Sequence, residues 1–117
     1  MKTQHLRLMP FTSQDLTLFH AINTNPFVRK FLWDGQIISQ KTAREIPEEN
    51  ERSFTKNKWG LWKVFEQNSN TFVGYIGLWT SFQEIQPPLL FAFLPEFTGK
   101  GYATEASRKL FDMLLNS

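Results

Sequence analysis

The sequence predicts a mixed α+β domain, and three observations carry that prediction. Apolar and polar residues alternate near the N-terminus; two β-rich runs flank a polar turn; and an apolar run is followed by a glycine loop and a helical stripe.

Leu6, Leu8 and Pro10 alternate with His5, Arg7 and Met9, so a short strand with one buried face is expected near His5 to Met9. Thr12-Ser13-Gln14-Asp15 offers hydroxyl caps and an early acid ahead of Leu16, Phe19 and Ile22, which predicts a helix beginning there and ending at Asn23 to Pro26. Phe27, Val28, Phe31, Leu32 and Trp33 form an apolar cluster before the Asp34-Gly35 turn signal, consistent with a short helix or turn. Ser39 to Phe54 is rich in Lys, Arg and Glu and reads as a capped amphipathic helix that Pro47 interrupts or shifts. Trp59 to Glu66 and Thr71 to Trp79 read as strands joined through Gln67-Asn68-Ser69-Asn70, a β-hairpin. Ser81 to Pro88 is a loop by composition, and Leu89 to Leu94 is a continuous apolar run suited to a strand buried on both faces. Ala103, Ala106, Leu110 and Leu114 then fall on one stripe of a closing helix.

The 117 residues fit one domain, 1–117, and 12 Phe with 4 Trp supply ample apolar surface for a packed core. A formal charge of +2 is too small for a nucleic-acid footprint, so no nucleic-acid partner is expected. The absence of Cys removes disulfides, thiolate nucleophiles and cysteine-based metal sites, and no metal is expected. Lys2, His5 and Arg7 break up the N-terminal apolar residues, so neither a signal peptide nor a membrane span is read there; a cytoplasmic protein without a membrane partner is expected.

The chemistry is concentrated in Leu89 to Ala106. Gly99 and Gly101 permit unusual dihedrals and let a ligand approach backbone N–H groups without an intervening Cβ. The unpaired amides and positive dipole end of the helix that follows make a phosphate site. Two other phosphate motifs fail on spacing. A P-loop needs two glycines five apart followed by Lys and Ser or Thr, and the dinucleotide fingerprint needs a third glycine where Thr104 stands.

These residues resemble the GNAT superfamily of N-acetyltransferases, in the branch that includes the ribosomal-protein alanine acetyltransferases. The branch's loop usually reads Pro-Glu-Tyr-Trp-Gly-Lys-Gly-Tyr-Ala-Thr-Glu-Ala, and Pro95 through Ala106 match it except at Phe97 and Thr98. Leu6-Arg7-Leu8, Trp62-Lys63-Val64 and Phe72 to Leu78 resemble its first three strands. The resemblance implies a mostly antiparallel sheet flanked by helices that lacks the usual C-terminal strands, a domain missing its C-terminal third. It implies that amides of Thr98, Gly99, Lys100, Gly101, Tyr102 and Ala103 hold the coenzyme A pyrophosphate and that the edge at Phe93 and Leu94 pairs with the pantetheine arm. A fourth-strand N–H near Leu94 would polarise the thioester carbonyl. Lys100 faces either the phosphates or solvent.

The implied reaction is acetyl transfer from acetyl-CoA, as co-substrate, to a primary amine on a protein N-terminus or small molecule, with no metal. The alternative is a catalytically inactive, coenzyme-binding or self-associating module. Where many relatives carry a carboxylate early in the fourth strand, this chain has Pro87-Pro88, which leaves Glu84 as the candidate base. The resemblance also implies a fourth-strand edge without its later neighbours, and an uncharged edge at Leu89 to Leu94 predicts a homo-oligomer. Phe27, Phe31 and Trp33 are either a substrate wall or core. His5, His20 and Glu105 are expected to be structural, Glu105 as a first-turn acid favoured by the helix dipole.

Overall fold

The computed structural model describes residues 1–28, 40–57, 60–78 and 89–115. Strand β1 is Leu6–Pro10, with Leu6 and Leu8 fully buried and the residues between them turned the other way, the alternation its sequence requires. The chain upstream doubles back on it: Lys2 bridges Arg7, and the Leu8 N–H donates to the Met1 carbonyl at 2.7 Å. After β1, Thr12 and Asp15 form a reciprocal capping box around a single turn at Ser13–Asp15, and α1 follows over Leu16–Thr24. Asp15 also pairs with Lys63 at 2.9 Å, which anchors this helix start to the sheet.

Asn25 ends α1 and starts the next turn. Its N–H donates to the Ile22 carbonyl, while its side-chain oxygen accepts from the N–H groups of Phe27 and Val28. Residues 26–28 are helical, with Pro26 at the first position, where its missing N–H costs nothing.

Helix α2 spans Gln40–Asn57 without a break, so the expected interruption at Pro47 does not occur. Two contacts hold the helix across the proline. Pro47 is itself fully buried, and one turn later the buried Asn50 amide donates to the carbonyls of Phe11 and Leu61, both at 3.0 Å, and accepts from the Leu61 N–H at 2.7 Å. Tertiary anchoring of this kind offsets the roughly 3 kcal/mol by which proline disfavours a helix interior.

Strands β2 (Leu61–Glu66), β3 (Thr71–Leu78) and β4 (Leu89–Phe93) complete an antiparallel sheet in the order β1-β2-β3-β4. The predicted hairpin is present, closed by a turn in which Asn70 takes a left-handed φ of 55°. A bulge between Val64 and Phe65 shifts the β2–β3 register and adds twist. Helix α3, Tyr102–Leu115, follows β4.

The sheet carries a core on each face. Phe11, Phe19, Ile22, Leu61, Tyr75 and Ala92 pack with α1 and with Ile46 of α2. Leu6, Leu8, Val64, Ile76 and Phe93 pack against Ala106, Tyr102 and Ala103 of α3. The α1 core holds a polar pair: the Tyr75 hydroxyl donates to Asn23 at 2.7 Å, and burial raises the pKa of that phenol well above its ordinary value. The expectation that the fourth strand is buried on both faces is corrected at Phe91, which is 52% exposed although Ala92 and Phe93 are buried. The reason is placement: α3 covers the sheet over β1 to β3 and Phe93, while Phe91 meets the Phe93 ring at 6.4 Å and lies outside the core that α3 covers.

Candidate functional site

The direction of each β4 backbone group follows from one hydrogen bond. The Leu94 N–H donates to the Val73 carbonyl at 2.9 Å, in register with the pairing of Gly74 with Phe93 and Tyr75 with Ala92. Antiparallel ladders alternate, so the polar groups of Leu90, Ala92 and Leu94 face β3, and those of Leu89, Phe91 and Phe93 face the other way, where the described residues supply no strand. Of the N–H groups near Leu94, where a carbonyl-polarising donor is expected, that of Leu94 itself is consumed in the sheet, and the Leu94 carbonyl accepts from Phe97 at 2.9 Å. Phe93 presents the open amide of this pair.

After Leu94, Pro95 opens a single turn at Pro95–Phe97. Thr98 closes it, its hydroxyl donating to the Pro95 carbonyl at 2.8 Å and its N–H to the same oxygen at 3.3 Å. The loop then turns through Gly99 (φ 83°) and Gly101 (φ 79°), both left-handed and both exposed. A Cβ built at either would meet nothing within 4 Å, so these glycines are required by conformation, and the space before them is open. The first amide beyond the loop with a backbone partner is that of Glu105, bonded to the Gly101 carbonyl at 3.0 Å. Among the described residues no hydrogen bond engages the N–H groups of Gly99, Lys100, Gly101, Tyr102, Ala103 or Thr104. These six amides lie at the positive end of a 14-residue helix, a cradle of donors that can receive an anion.

Side chains around the cradle hold it in place. The Tyr102 hydroxyl donates to Glu66, which also accepts from Ser69 at 2.7 Å. The Glu66 carboxylate pushes the Tyr102 phenol up to about 12, and the same bond holds Glu66 below its usual value. Lys100 lies over the rings of Phe97 at 5.4 Å and Tyr102 at 6.0 Å. Glu105 accepts from the Thr3 hydroxyl, from the His5 N–H at 2.8 Å, and from the His5 ring nitrogen Nδ1 at 2.7 Å. Burial works to raise its pKa, but these donors outweigh it and hold Glu105 below the ordinary carboxylate range. The pair latches the start of α3 to the entry of β1, which agrees with structural roles for His5 and Glu105. His20 lies within α1, also as expected.

Of the other predicted site residues, Phe27 is 39% exposed at the helical turn after α1. Phe31, Trp33 and Glu84 lie outside the described residues, as do Pro87 and Pro88. The aromatic seat of Lys100 and the Tyr102–Glu66 bond were not anticipated; the flanking of Lys100 by Phe97 and Tyr102 in sequence was the available signal. Among the described residues no group of His, Asp or Glu could hold a metal ion. No helix there is long and apolar enough to cross a membrane.

The family model described as an acetyltransferase (GNAT) domain matches residues 5–117. No curated protein matches the sequence. Among solved structures, a GnaT-family acetyltransferase from Bordetella pertussis superposes with a TM-score of 0.84 at 16% identity, over 100% of this chain and 71% of that one. An acetyltransferase from Agrobacterium tumefaciens C58 gives 0.81 at 18%, over 100% and 68%. RimL, a ribosomal L7/L12 α-N-protein acetyltransferase in complex with coenzyme A, gives 0.66 at 16%, over 88% and 59%. At these identities the likeness is one of fold, and the chain spans roughly three-fifths to seven-tenths of each.

Proposed function

Because the chain belongs to the GNAT acetyltransferase family, we propose that it binds acetyl-CoA at Gly99 to Ala103 and transfers the acetyl group to a primary amine. The observation that carries this reading is the unpartnered amide cradle between β4 and α3. Unpartnered amides in a loop with left-handed glycines at Gly99 and Gly101 suit the oxygens of a diphosphate, and main-chain donors need no particular side chain. That is why Phe97 and Thr98, which depart from the branch's usual pair, leave the cradle intact. The Thr98 N–H is already bonded to Pro95, so the diphosphate contacts begin at Gly99.

The pantetheine arm runs along the open side of β4, where the Phe93 N–H and C=O supply strand-like pairing. With the Leu94 N–H consumed, Phe93 is the described donor best turned toward a thioester carbonyl. In the reaction the amine lone pair attacks the thioester carbon, the C–N bond forms, and the C–S bond breaks. Coenzyme A leaves as thiolate, and the proton lost from the amine reaches it through solvent or a base. Glu84 is the candidate base. Several structural neighbours are ribosomal-protein acetyltransferases, which supports a protein N-terminus as the acceptor class.

An amine-panel assay with acetyl-CoA tests the reading. The expected result is acetyl transfer to an N-terminal peptide amine below the ordinary enzyme range of roughly 1 to 1,000 per second, because Pro87-Pro88 replaces the usual carboxylate. Coenzyme binding without transfer to any amine would favour the inactive binding module. A second reading, self-association through β4, is favoured by the half-exposed Phe91 on an uncharged strand.

A further inference from the structure

On the β1 side of α3 lies an open groove of about 590 Å³, between the N-terminal segment and the helix, within the size range of small-molecule sites. It begins at Gly101, so it shares a residue with the amide cradle. Thr104 and Arg108 lie one turn apart on one helical row, and Gly101, Glu105 and Lys109 form the adjacent row. Lys2 closes the groove from the opposite wall.

That wall is built. Lys2 bridges Arg7, the Thr3 N–H donates to the Leu6 carbonyl at 2.8 Å, and the Thr3 hydroxyl is bonded to Glu105 on α3. The charges in the groove are unequal in their commitments. Glu105 is occupied by Thr3 and His5, and Asp112, at the far end, takes part in an interaction of its own. Lys2, Arg108 and Lys109 enter no salt bridge among the described residues. Three cations outside any salt bridge among the described residues thus outnumber the two engaged carboxylates, Glu105 and Asp112, in a groove that begins beside the cradle at Gly101.

We propose that this groove receives the 3′-phosphomonoester of the coenzyme's adenosine end, and that Lys2, Arg108 and Lys109 select the phosphorylated coenzyme. The inference rests on coenzyme binding at Gly99 to Ala103. Coenzyme A carries two kinds of phosphate, and the two features match them separately. Backbone amides serve the diphosphate, whose negative charge is shared along a bridge. The terminal monoester, carrying about −1.5 to −2 charges at pH 7, calls for mobile cationic side chains. A diphosphate seated on the cradle with pantetheine along β4 leaves its adenosine end to depart past Gly101, which opens into the groove.

Calorimetric titration of the full chain with coenzyme A and with 3′-dephospho-coenzyme A tests this. The native chain should bind the dephosphorylated form about tenfold or more weakly, the expected loss of charge-assisted bonds to one phosphate. Arg108→Gln combined with Lys109→Gln should weaken coenzyme A to the level of its dephosphorylated form while leaving the affinity for that form unchanged; Lys2→Gln should act in the same direction. Adenosine 3′,5′-bisphosphate, used as a probe without pantetheine, should show the same dependence. Equal affinity of the native chain for the two coenzymes overturns the groove assignment and leaves the cradle standing. Equal weakening of both ligands in the double variant also overturns it, since that marks a general field. Binding of neither ligand overturns the cradle and the groove together.

Discussion

Replacing Gly101 separates two reasons for a glycine in the cradle. At φ 79° any L-residue pays a conformational cost, while a Cβ there would meet nothing within 4 Å. A variant therefore folds, and the free loop relaxes to another conformation that binding must reverse. For Gly101→Ala that reversal costs about 1–2 kcal/mol, or roughly a 5- to 30-fold loss of coenzyme A affinity. Gly101→Val should lose more, because a β-branched residue at positive φ is a true outlier and its methyls project toward the ligand. Gly101→Asn is the discriminating case. Asparagine tolerates the left-handed region, so its remaining loss measures obstruction alone. Titration calorimetry on the three variants should rank them Val weakest, Ala next and Asn nearest the native chain if conformation dominates. Affinity of Gly101→Val within about twofold of native, a difference below 0.5 kcal/mol, would refute the placement of the ligand on these amides.

Three further outcomes follow from the packing. Asn50→Leu removes three hydrogen bonds and leaves the Phe11 and Leu61 groups buried without that partner, so it should destabilise the chain by about 3 kcal/mol or more; a denaturation midpoint giving under about 1 kcal/mol would contradict the anchoring role. Glu105 is held below its ordinary value in the folded chain, so its contribution is present above the unfolded value of 4.5 and lost as pH falls through the lowered one. Stability measured from pH 6 to pH 3 should fall less steeply in Glu105→Gln, and an unchanged slope would remove Glu105 from the latch. Phe91→Lys should abolish concentration-dependent mass in light scattering; a native chain that stays at 13.8 kDa at every concentration would end the self-association reading.

Much of this arrangement was legible because it depends on local chemistry. Thr12 and Asp15 sit three residues apart, and that spacing alone specifies the capping box found at Ser13–Asp15. Leu6 and Leu8 alternate because one face of β1 is covered, and the strand lies one residue from its expected bounds. Gly99 and Gly101 flag left-handed backbone, and both have it. What escaped depends on partners distant in sequence. Pro47 reads as a helix breaker, and its own burial with the docking of Asn50 onto Phe11 and Leu61 offsets that in the continuous α2. The apolar run of β4 says nothing about which amides face β3; the register against Val73 decides that, and it turns Leu94 inward and Phe93 outward. Composition likewise could not reveal that Phe91 stays exposed, or that Lys2 and Arg108 line one groove because the N-terminal segment doubles back on β1.

The central claim is that the amides from Gly99 to Ala103 receive the coenzyme's diphosphate. Titrating coenzyme A into the isotopically labelled chain while following each backbone amide by NMR tests it most directly. The account predicts saturable shifts largest at Gly99 to Ala103, with a second set at Phe91 and Phe93, and little change at Leu94, whose N–H stays bonded to Val73. Shifts confined to other parts of the chain, or none at millimolar ligand, a regime of about 4 kcal/mol, would contradict it.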